Sequence, residues 1–163
     1  MRKRIHLRKR RRGAYFVELA FTLIPMLAIL FAIVDYSMPV FFRSLFTHAA
    51  REGSRYGITF QTQSGQSQTY SIQSIVMGQT AGFLNGTTGR NMVKVRYYNQ
   101  VTFAEDTTSS RNADGNIIEV SIEGFTWNYM LPLYRLYSTS ITINASSADR
   151  LETLPAGATR PAP

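Results

Sequence analysis

Residues 10–34 read RRRGAYFVELAFTLIPMLAILFAIV, and this stretch decides the architecture of the chain. Three arginines and Gly13 lead into 21 residues, 14–34, that are apolar except for a few interruptions, of which only Glu18 is charged. A helix rises ~1.5 Å per residue, so this segment extends about 31 Å, which is enough to cross the hydrocarbon core of a bilayer. The stretch therefore predicts a transmembrane helix at residues 14–34.

The residues that follow this helix indicate whether it is kept in the mature protein. An ordinary secretory signal has a shorter apolar core, which is followed by a small-x-small cleavage site. Here the apolar run gives way to DYSMP at residues 35–39, which is not such a site. We therefore expect the segment to be retained as an anchor.

The excess positive charge lies entirely before this helix. The formal net charge is +8, and eight of the eighteen Lys and Arg residues fall in the leader, residues 1–13, while the other ten balance ten acidic residues. Basic residues beside a spanning segment stay on the cytoplasmic side, so we expect the N-terminus inside and the remainder outside. The alternatives are that these basic residues bind nucleic acid or the headgroups of anionic lipids. The neutral body has no overall bias toward anionic partners, and we predict no nucleic-acid partner.

The junction resembles the cleavage site of type IV prepilins, in which a basic leader ends in glycine and glutamate stands at the fifth mature position. In this chain Gly13 would precede the cut, Ala14 would become the new terminus, and Glu18 would be the fifth mature residue. The resemblance implies cleavage between Gly13 and Ala14 by a prepilin peptidase.

Glu18 has two interpretations. A charge at a helix centre costs about 2.5–3.5 kcal/mol to insert, and less near an end, where the side chain reaches the interface. Glu18 could be a tolerated interfacial acid that complements the helix dipole. We favour an assembly role instead, because cleavage creates an ammonium on Ala14, four residues away. That ammonium, or the ammonium of a neighbouring subunit, can pair with Glu18 and favour a fixed axial register between packed helices.

The helical pattern continues beyond the membrane segment. Apolar and small residues recur at helical spacing, namely Phe41, Phe42, Leu45, Phe46, Ala49 and Ala50. Gly57 suits a C-terminal cap. We predict one helix from Ala14 to about Tyr56, bent at Pro39, in which residues 35–57 extend beyond the membrane.

Residues 58–154 are predicted to form an outer domain. Residues 61–69 are polar and of low complexity, which is typical of a flexible loop. Ser71 can cap a helix that runs to about Phe83. Residues 85–91 are rich in Gly and Thr and predict a turn.

Three later segments, 92–103, 117–127 and 140–146, have the composition and alternation of strands. The sequence therefore predicts an α+β fold, with a long N-terminal transmembrane helix that extends into a small outer domain. That domain holds a second helix and a roughly three-stranded antiparallel sheet, which depends on helix packing for stability. The tail at residues 155–163 is predicted to be disordered.

Aromatic residues are concentrated in the outer domain. The cluster consists of Tyr97, Tyr98, Phe125, Trp127, Tyr129, Tyr134 and Tyr137. We favour packing for most of them, because aromatic side chains contribute strongly to small cores. The alternative is that residues 130–134 form an exposed contact with another subunit or with the membrane surface.

The sequence carries no recognisable catalytic machinery. The chain has no cysteine, which excludes thiol catalysis, Cys-based zinc sites and iron–sulfur clusters. Its two histidines, His6 and His48, cannot supply a His-based triad or a His-rich metal site within one subunit. There is no phosphate loop or dinucleotide fingerprint. We therefore predict no catalytic residues, no metal and no cofactor, and expect that the protein is not an enzyme.

One polar loop, residues 105–116, concentrates acids and amides. It contains Glu105, Asp106 and Asp114 together with two asparagines. These groups could bind calcium weakly, but their spacing does not follow the EF-hand loop, and a solvated turn is the favoured interpretation.

Several stretches resemble the TadE-like family, the minor pilins or pseudopilins of the tight-adherence (Flp) system. They are RRRGAYFVELAF at 10–21, PMLAILFAIVDYS at 25–37 and AAREGSRYG at 49–57. Residues 117–152 are similar to the family's closing pattern, which is a strand, a turn around a proline and a strand ending near an arginine. The chain departs from the family at Leu19, where Tad-type pilins usually carry Tyr or Phe.

The resemblance implies a protein of the bacterial inner membrane, N-terminus cytoplasmic and C-terminal domain outside, that helps to assemble or adhere through a pilus. The implied partners are the membrane, a prepilin peptidase, other pilin-like subunits and the pilus assembly machinery. The alternative is an uncleaved single-pass scaffold or docking protein with an exported binding domain. The AAREG stretch at residues 49–53 is open to two interpretations, a docking site or a solvated helix end.

Overall fold

The computed structural model describes residues 8–130, 140–154 and 156–163, with side chains from Gly13 onward. In these residues the order of elements is α1 (Arg8–Ile58), α2 (Gln68–Gly78), α3 (Gly86–Met92), β1 (Val93–Tyr98), β2 (Ile117–Asn128) and β3 (Ser140–Arg150). The long apolar helix and the three-stranded antiparallel sheet confirm the α+β prediction.

The chain divides into two compact units, to each of which α1 contributes. The helical unit contains the described residues up to Met38, together with residues 128–130 and Ser140. The sheet unit contains Pro39–Trp127 and the described residues from Ile141 onward.

In the first half of α1, apolar side chains are exposed on every face of the helix. The helix is continuous through Pro25 and Pro39, and residues 13–27 are all exposed. Its most apolar window has a mean hydropathy of 2.5, so its length and composition suit a membrane-spanning helix. A helix that is hydrophobic all round needs apolar surroundings, and α1 therefore fits a membrane-anchored protein. The bend expected at Pro39 stays a prediction.

The sheet unit packs the second half of α1 and α2 against the sheet. The strands lie in the order β1-β2-β3, and β1 runs antiparallel to β2 with Val93 opposite Ile122 and Tyr98 opposite Ile117. The largest fully buried apolar side chains come from α1, α2, β1, β2 and the connection after α2: Phe42, Phe46, Ile72, Val76, Leu84, Val93, Tyr97, Ile118, Val120 and Ile122.

The AAREGSRYG stretch forms a close contact surface of α1. Ala49, Ala50, Gly53 and Gly57 are all buried, whereas the intervening arginines are exposed. A Cβ added at Gly53 would overlap the Val76 side chain, and one added at Gly57 would lie 2.6 Å from Cδ1 of Ile118. Small residues are therefore what allows α2 and β2 to approach the helix this closely. We call these four residues the small-residue face.

The second helix begins earlier than predicted. It starts at Gln68, and Ser67, not Ser71, is the N-cap, with its side chain accepting a hydrogen bond from Tyr70 N. Ser71 is buried one turn later, where its hydroxyl donates to Ser67 O at 2.8 Å. The helix ends at Gly78, which leaves Phe83 outside it.

The segment predicted as a turn at 85–91 instead forms the short helix α3. Composition does not explain this helix, because Gly and Thr are weak helix formers. Packing does, since Gly89 is buried and a Cβ there would lie 2.6 Å from the backbone carbonyl carbon of Leu84. The close packing of Gly89 on the backbone of Leu84 thus stabilises a helix although this segment has a low intrinsic helix propensity.

The outer strands have different ends from those predicted. β1 stops at Tyr98, not Phe103, because the Asn99 side chain accepts hydrogen bonds from the amides of Val101 and Thr102 and turns the chain. β3 continues to Arg150, four residues beyond the predicted end.

The C-terminal residues contact other parts of the sheet unit, and the disorder expected at residues 155–163 stays a prediction. Gln68 N donates to Ala162 O at 2.8 Å, and Asn112 Nδ2 donates to Pro161 O at 3.0 Å. Arg160 forms an ion pair with Asp114 at 2.6 Å. Gln68 and Asn112 are both buried. The carbonyl groups of the C-terminal residues therefore accept hydrogen bonds from the backbone N–H of Gln68 and from the side-chain amide of Asn112, which would otherwise lack these partners.

The aromatic cluster is partly explained by packing. Phe42 is the hub, with ring centroids 5.0 Å from Phe125 and 5.4 Å from Trp127. Tyr97 is buried in the core. Tyr134, Tyr137 and most of the 130–134 loop lie outside the described residues, so their proposed contact stays a prediction.

Candidate functional site

The predicted cleavage site lies within α1. Gly13 and Ala14 are both helical and exposed, and a Cβ added at Gly13 would have nothing within 4 Å. Because the helix begins at Arg8, the bond between them is flanked by helical residues on both sides. Within the part of the chain that the structure describes, no tertiary contact of Gly13 explains why the chain has a glycine here.

Glu18 lies on the same helix face as Ala14. Residues four apart on a helix are neighbours, displaced by about 6 Å along its axis. The Glu18 side chain is exposed, as are the large apolar side chains of Phe16 and Phe21, which are 73% and 78% exposed. The structure thus brings Ala14 and Glu18 together on an apolar surface. In the uncut chain, however, the nitrogen of Ala14 is a peptide amide and carries no charge.

A second acid on α1, Asp35, makes a contact that its sequence pattern did not predict. Asp35 follows the apolar run and is 1% exposed, and its Oδ1 accepts a hydrogen bond from Met130 N at 3.0 Å. The carboxylate therefore fixes the chain just after β2 to the end of the apolar segment within the helical unit. The only sequence feature that points to this contact is the position of Asp35, an acidic residue directly after the predicted transmembrane segment.

A polar groove of about 450 Å³ opens on the sheet unit, lined in part by Arg43, Glu119 and Glu123. Glu123 pairs with Arg96 at 2.5 Å, and this contact lowers the pKa of the carboxyl. Tyr98 Oη donates to Glu119 at 2.7 Å, which raises the pKa of the tyrosine. Each carboxylate thus has its own partner on β1, and both contacts link the two strands.

The acids and amides of the 105–116 loop point to different partners. Asp106 accepts from Thr108, and Asp114 pairs with Arg160. Asn116 donates to Arg111 O at 3.0 Å. Across the residues that the structure describes, no group of three or more His, Asp or Glu side chains is placed to hold a metal ion. The loop therefore combines local turns with contacts to the C-terminal residues.

Comparison with known proteins agrees with the resemblance drawn from the motifs. The family model for TadE-like protein matches residues 13–55. The match begins at Gly13, runs along α1 through the apolar segment, and includes three residues of the small-residue face, Ala49, Ala50 and Gly53. No curated protein and no solved structure gave a significant match.

The match is confined to residues 13–55, all of which lie on α1. It stops at Arg55, before the sheet, so the resemblance seen at residues 117–152 stays a prediction.

Proposed function

We propose that the chain is a minor pilin or pseudopilin-like subunit of a tight-adherence pilus. In this proposal α1 holds the subunit in the bacterial inner membrane, with the leader in the cytoplasm and the sheet unit outside. A prepilin peptidase then cuts between Gly13 and Ala14. The observation that carries the proposal is the TadE-like match, which begins at Gly13, the residue that would precede the cut.

The charge distribution supports this processing route. The leader contains eight basic residues, and the rest of the chain is formally neutral. Before cleavage, the leader charges oppose transfer of the N-terminus across the membrane. Cleavage would remove them and leave an apolar helix whose few charges are the new ammonium and Glu18 near its beginning.

The position of Glu18 supports a role in assembly. In an apolar helix bundle, an unpaired carboxylate has a high desolvation free energy, and pairing with a nearby ammonium offsets part of it. Ala14 of the same subunit or of a neighbour supplies such an ammonium only after cleavage. The cut would therefore switch Glu18 from an unpaired acid to one that sets the axial register between helices.

The proposed role is structural, and no residue is assigned to catalysis. The partners would be the prepilin peptidase, other pilin-like subunits and the assembly machinery. The sheet unit would supply the surface that adheres or that contacts neighbouring subunits.

The deciding experiment is N-terminal sequencing of the membrane-extracted protein, with the prepilin peptidase present and absent. We expect a start at Ala14 only when the peptidase is present. A start at Met1 in both samples would refute the processing route and favour an uncleaved scaffold or docking protein.

Substitution at Gly13 makes the test sharper. Among the described residues, nothing lies within 4 Å of a Cβ added at Gly13, so Gly13→Leu should not disturb the fold. We expect it to block the cut while leaving the amount of membrane protein unchanged. Gly78→Leu is the matched control, since Gly78 is also helical with nothing within 4 Å, and it should be cut normally.

A further inference from the structure

Asp35 fixes the first residues after β2 at the level of the apolar segment. A helical side chain leans toward the N-terminus of its helix and covers the preceding turn. The Asp35 side chain therefore leans back toward Val34, the last residue of the predicted span. Because Oδ1 of Asp35 accepts from Met130 N at 3.0 Å, the Met130 backbone lies level with the end of that span and not beyond it.

The hydrogen bond between Asp35 and Met130 is shielded from water. Asp35 is 1% exposed, whereas its neighbours on α1 at positions 33, 34, 36 and 37 are all exposed. A hydrogen bond to a carboxylate is stronger in a site of low dielectric constant than in water. The bond therefore holds Met130 in a defined position beside the helix.

Met130 is held there with its side chain exposed. It is 69% exposed, and Ile33 and Tyr36, within one turn of Asp35 on α1, are 61% and 72% exposed. Single exposed apolar side chains are common on proteins, so exposure alone does not identify a contact. The depth of Met130 does, because at this level the exposed surface of α1 is apolar and needs apolar surroundings.

The charges of the helical unit favour a contact with the apolar part of the bilayer. Between Ala14 and Met38, and at residues 128–130, the only charged residues are Glu18 and Asp35. Neither is basic, so this surface offers no positive charge to anionic headgroups. Tyrosine is enriched where acyl chains meet headgroups, because its ring is apolar and its hydroxyl is polar. Met130 and Tyr36 therefore suit this boundary whatever the charge of the lipid.

We infer that Met130, positioned by Asp35, contacts the lipid bilayer at the level where α1 leaves it. This second lipid contact lies 95 residues after Asp35 in the sequence and is continuous with the exposed apolar surface of α1. The inference rests on the membrane anchoring in the proposed function and not on cleavage. Extraction of the subunit into a pilus would have to break this contact as well as the lipid contacts along α1.

Depth-dependent fluorescence quenching tests the contact. The chain has no cysteine, so Met130→Cys carries a single environment-sensitive fluorophore. The full-length protein is placed in phosphatidylcholine vesicles with nitroxide lipids, whose nitroxide lies either near the headgroup or in the middle of the acyl chain. We expect a larger loss of fluorescence with the shallow nitroxide than with the deep one. No loss with either nitroxide would overturn the inference.

Two other single-cysteine variants calibrate the depth. Ile24 is exposed in the middle of the span, so the probe at Ile24→Cys should lose more fluorescence with the deep nitroxide. The probe at Tyr36→Cys should resemble the probe at Met130→Cys. Adding anionic phosphatidylglycerol should leave all three results unchanged. Quenching of the Met130 probe that required this lipid would refute an apolar contact.

Dilution in lipid separates a lipid contact from a contact with a second copy of the chain. Quenching of the Met130 probe should be equal at high and low ratios of protein to lipid. Quenching that appeared only on dilution would show that another copy covers Met130, and it would overturn the inference.

Asp35→Ala tests the positioning role. It removes the acceptor for Met130 N, so shallow quenching of the Met130 probe should fall, while the probe at Tyr36, on α1 itself, should be unaffected. Ser37→Ala is the matched control, because the Ser37 hydroxyl donates to Val34 O within α1, and quenching should be unchanged. Undiminished quenching at Met130, or an equal fall at Tyr36, would refute the positioning role of Asp35.

The same vesicles distinguish this inference from the proposed function. An uncut chain whose Met130 probe is quenched would refute the processing route and support the lipid contact. A chain that is cut in cells, and whose Ile24 probe is quenched although its Met130 probe is not, would do the reverse. An Ile24 probe that neither nitroxide quenches would refute the anchor, and with it both proposals.

Discussion

At the scale of single residues, we propose that the charge of Glu18 makes α1 an assembly element as well as an anchor. Glu18 is exposed on α1, four residues from Ala14, and has no structural task in the sheet unit. Removing it leaves the apolar length of the helix intact and lowers the cost of insertion.

We therefore expect Glu18→Ala to reach the membrane in normal amounts but to be depleted from sheared pili. Glu18→Asp retains the charge and should restore part of the incorporation. Immunoblots of membrane and pilus fractions measure both. Incorporation of Glu18→Ala at the parental level would contradict the pairing of Glu18 with an ammonium.

Gly53 shows a different kind of residue-scale constraint, which is steric. A Cβ at this position would overlap Val76 and come within 3.2 Å of Val120. Gly53→Ala should therefore destabilise the sheet unit by about 1–3 kcal/mol, although alanine is the better helix former. Gly78→Ala is the control, because it gains helix propensity with nothing within 4 Å. Thermal unfolding followed by circular dichroism compares the two, and an unchanged midpoint for Gly53→Ala would show that the helix and α2 can separate at little cost.

At the scale of elements, the Arg96–Glu123 pair links β1 to β2 and makes a small contribution that depends on pH. The pair lowers the pKa of Glu123 in the folded protein, so its contribution is present above the unfolded pKa and is lost as the pH falls through the folded value. The side chains are 31% and 39% exposed, so solvent screening limits the contribution to about 1 kcal/mol or less.

Glu123→Gln should therefore lower stability slightly at pH 7 and weaken its decline below about pH 4.5, the ordinary value for glutamate. Urea unfolding at several pH values measures this difference. Arg96→Gln is the complementary variant, since it removes the partner and should flatten the same part of the profile. If the free energy of unfolding falls with pH in parallel for Glu123→Gln and the parent, carboxylates other than Glu123 must cause the loss of stability in acid.

The elements also show where a sequence is sufficient and where it is not. α1 was predictable because an apolar segment with few interruptions, followed by helical periodicity, extends over most of its length. α3 was not, because its cause is the close approach of Gly89 to Leu84, a contact that no local pattern encodes. The start of α2 was misplaced because Ser67 and Ser71 are both acceptable caps, and only the packing of the buried Ser71 hydroxyl decides between them.

The same limits apply to the candidate sites. The Gly13, Ala14 and Glu18 motif is readable because it is local in the sequence, and the TadE-like match covers the same residues. The loop at Val101 and Phe103 was predicted as strand because these two residues continue the alternation of β1, although the chain turns at Asn99.

At the scale of the whole molecule, the asymmetry of charge about the apolar segment should set the orientation of the chain. Eight basic residues precede the segment, whereas beyond it the basic and acidic residues are closely balanced. Basic residues within roughly 15–20 positions of a span carry most of the orientation signal. The five consecutive basic residues at 8–12 are therefore the ones to test.

Replacing residues 8–12 by glutamine should reduce the fraction of chains whose sheet unit lies outside. Thr102→Cys provides the reporter, because this exposed thiol reacts with a membrane-impermeant maleimide in intact spheroplasts only when it is outside. Arg51→Gln with Arg55→Gln is the matched control, since it removes basic residues from the opposite flank and should leave labelling at least as strong. Labelling that is equally complete in all three proteins would mean that the leader does not orient the chain, and its charges would then have to act at another step, such as recognition by the peptidase.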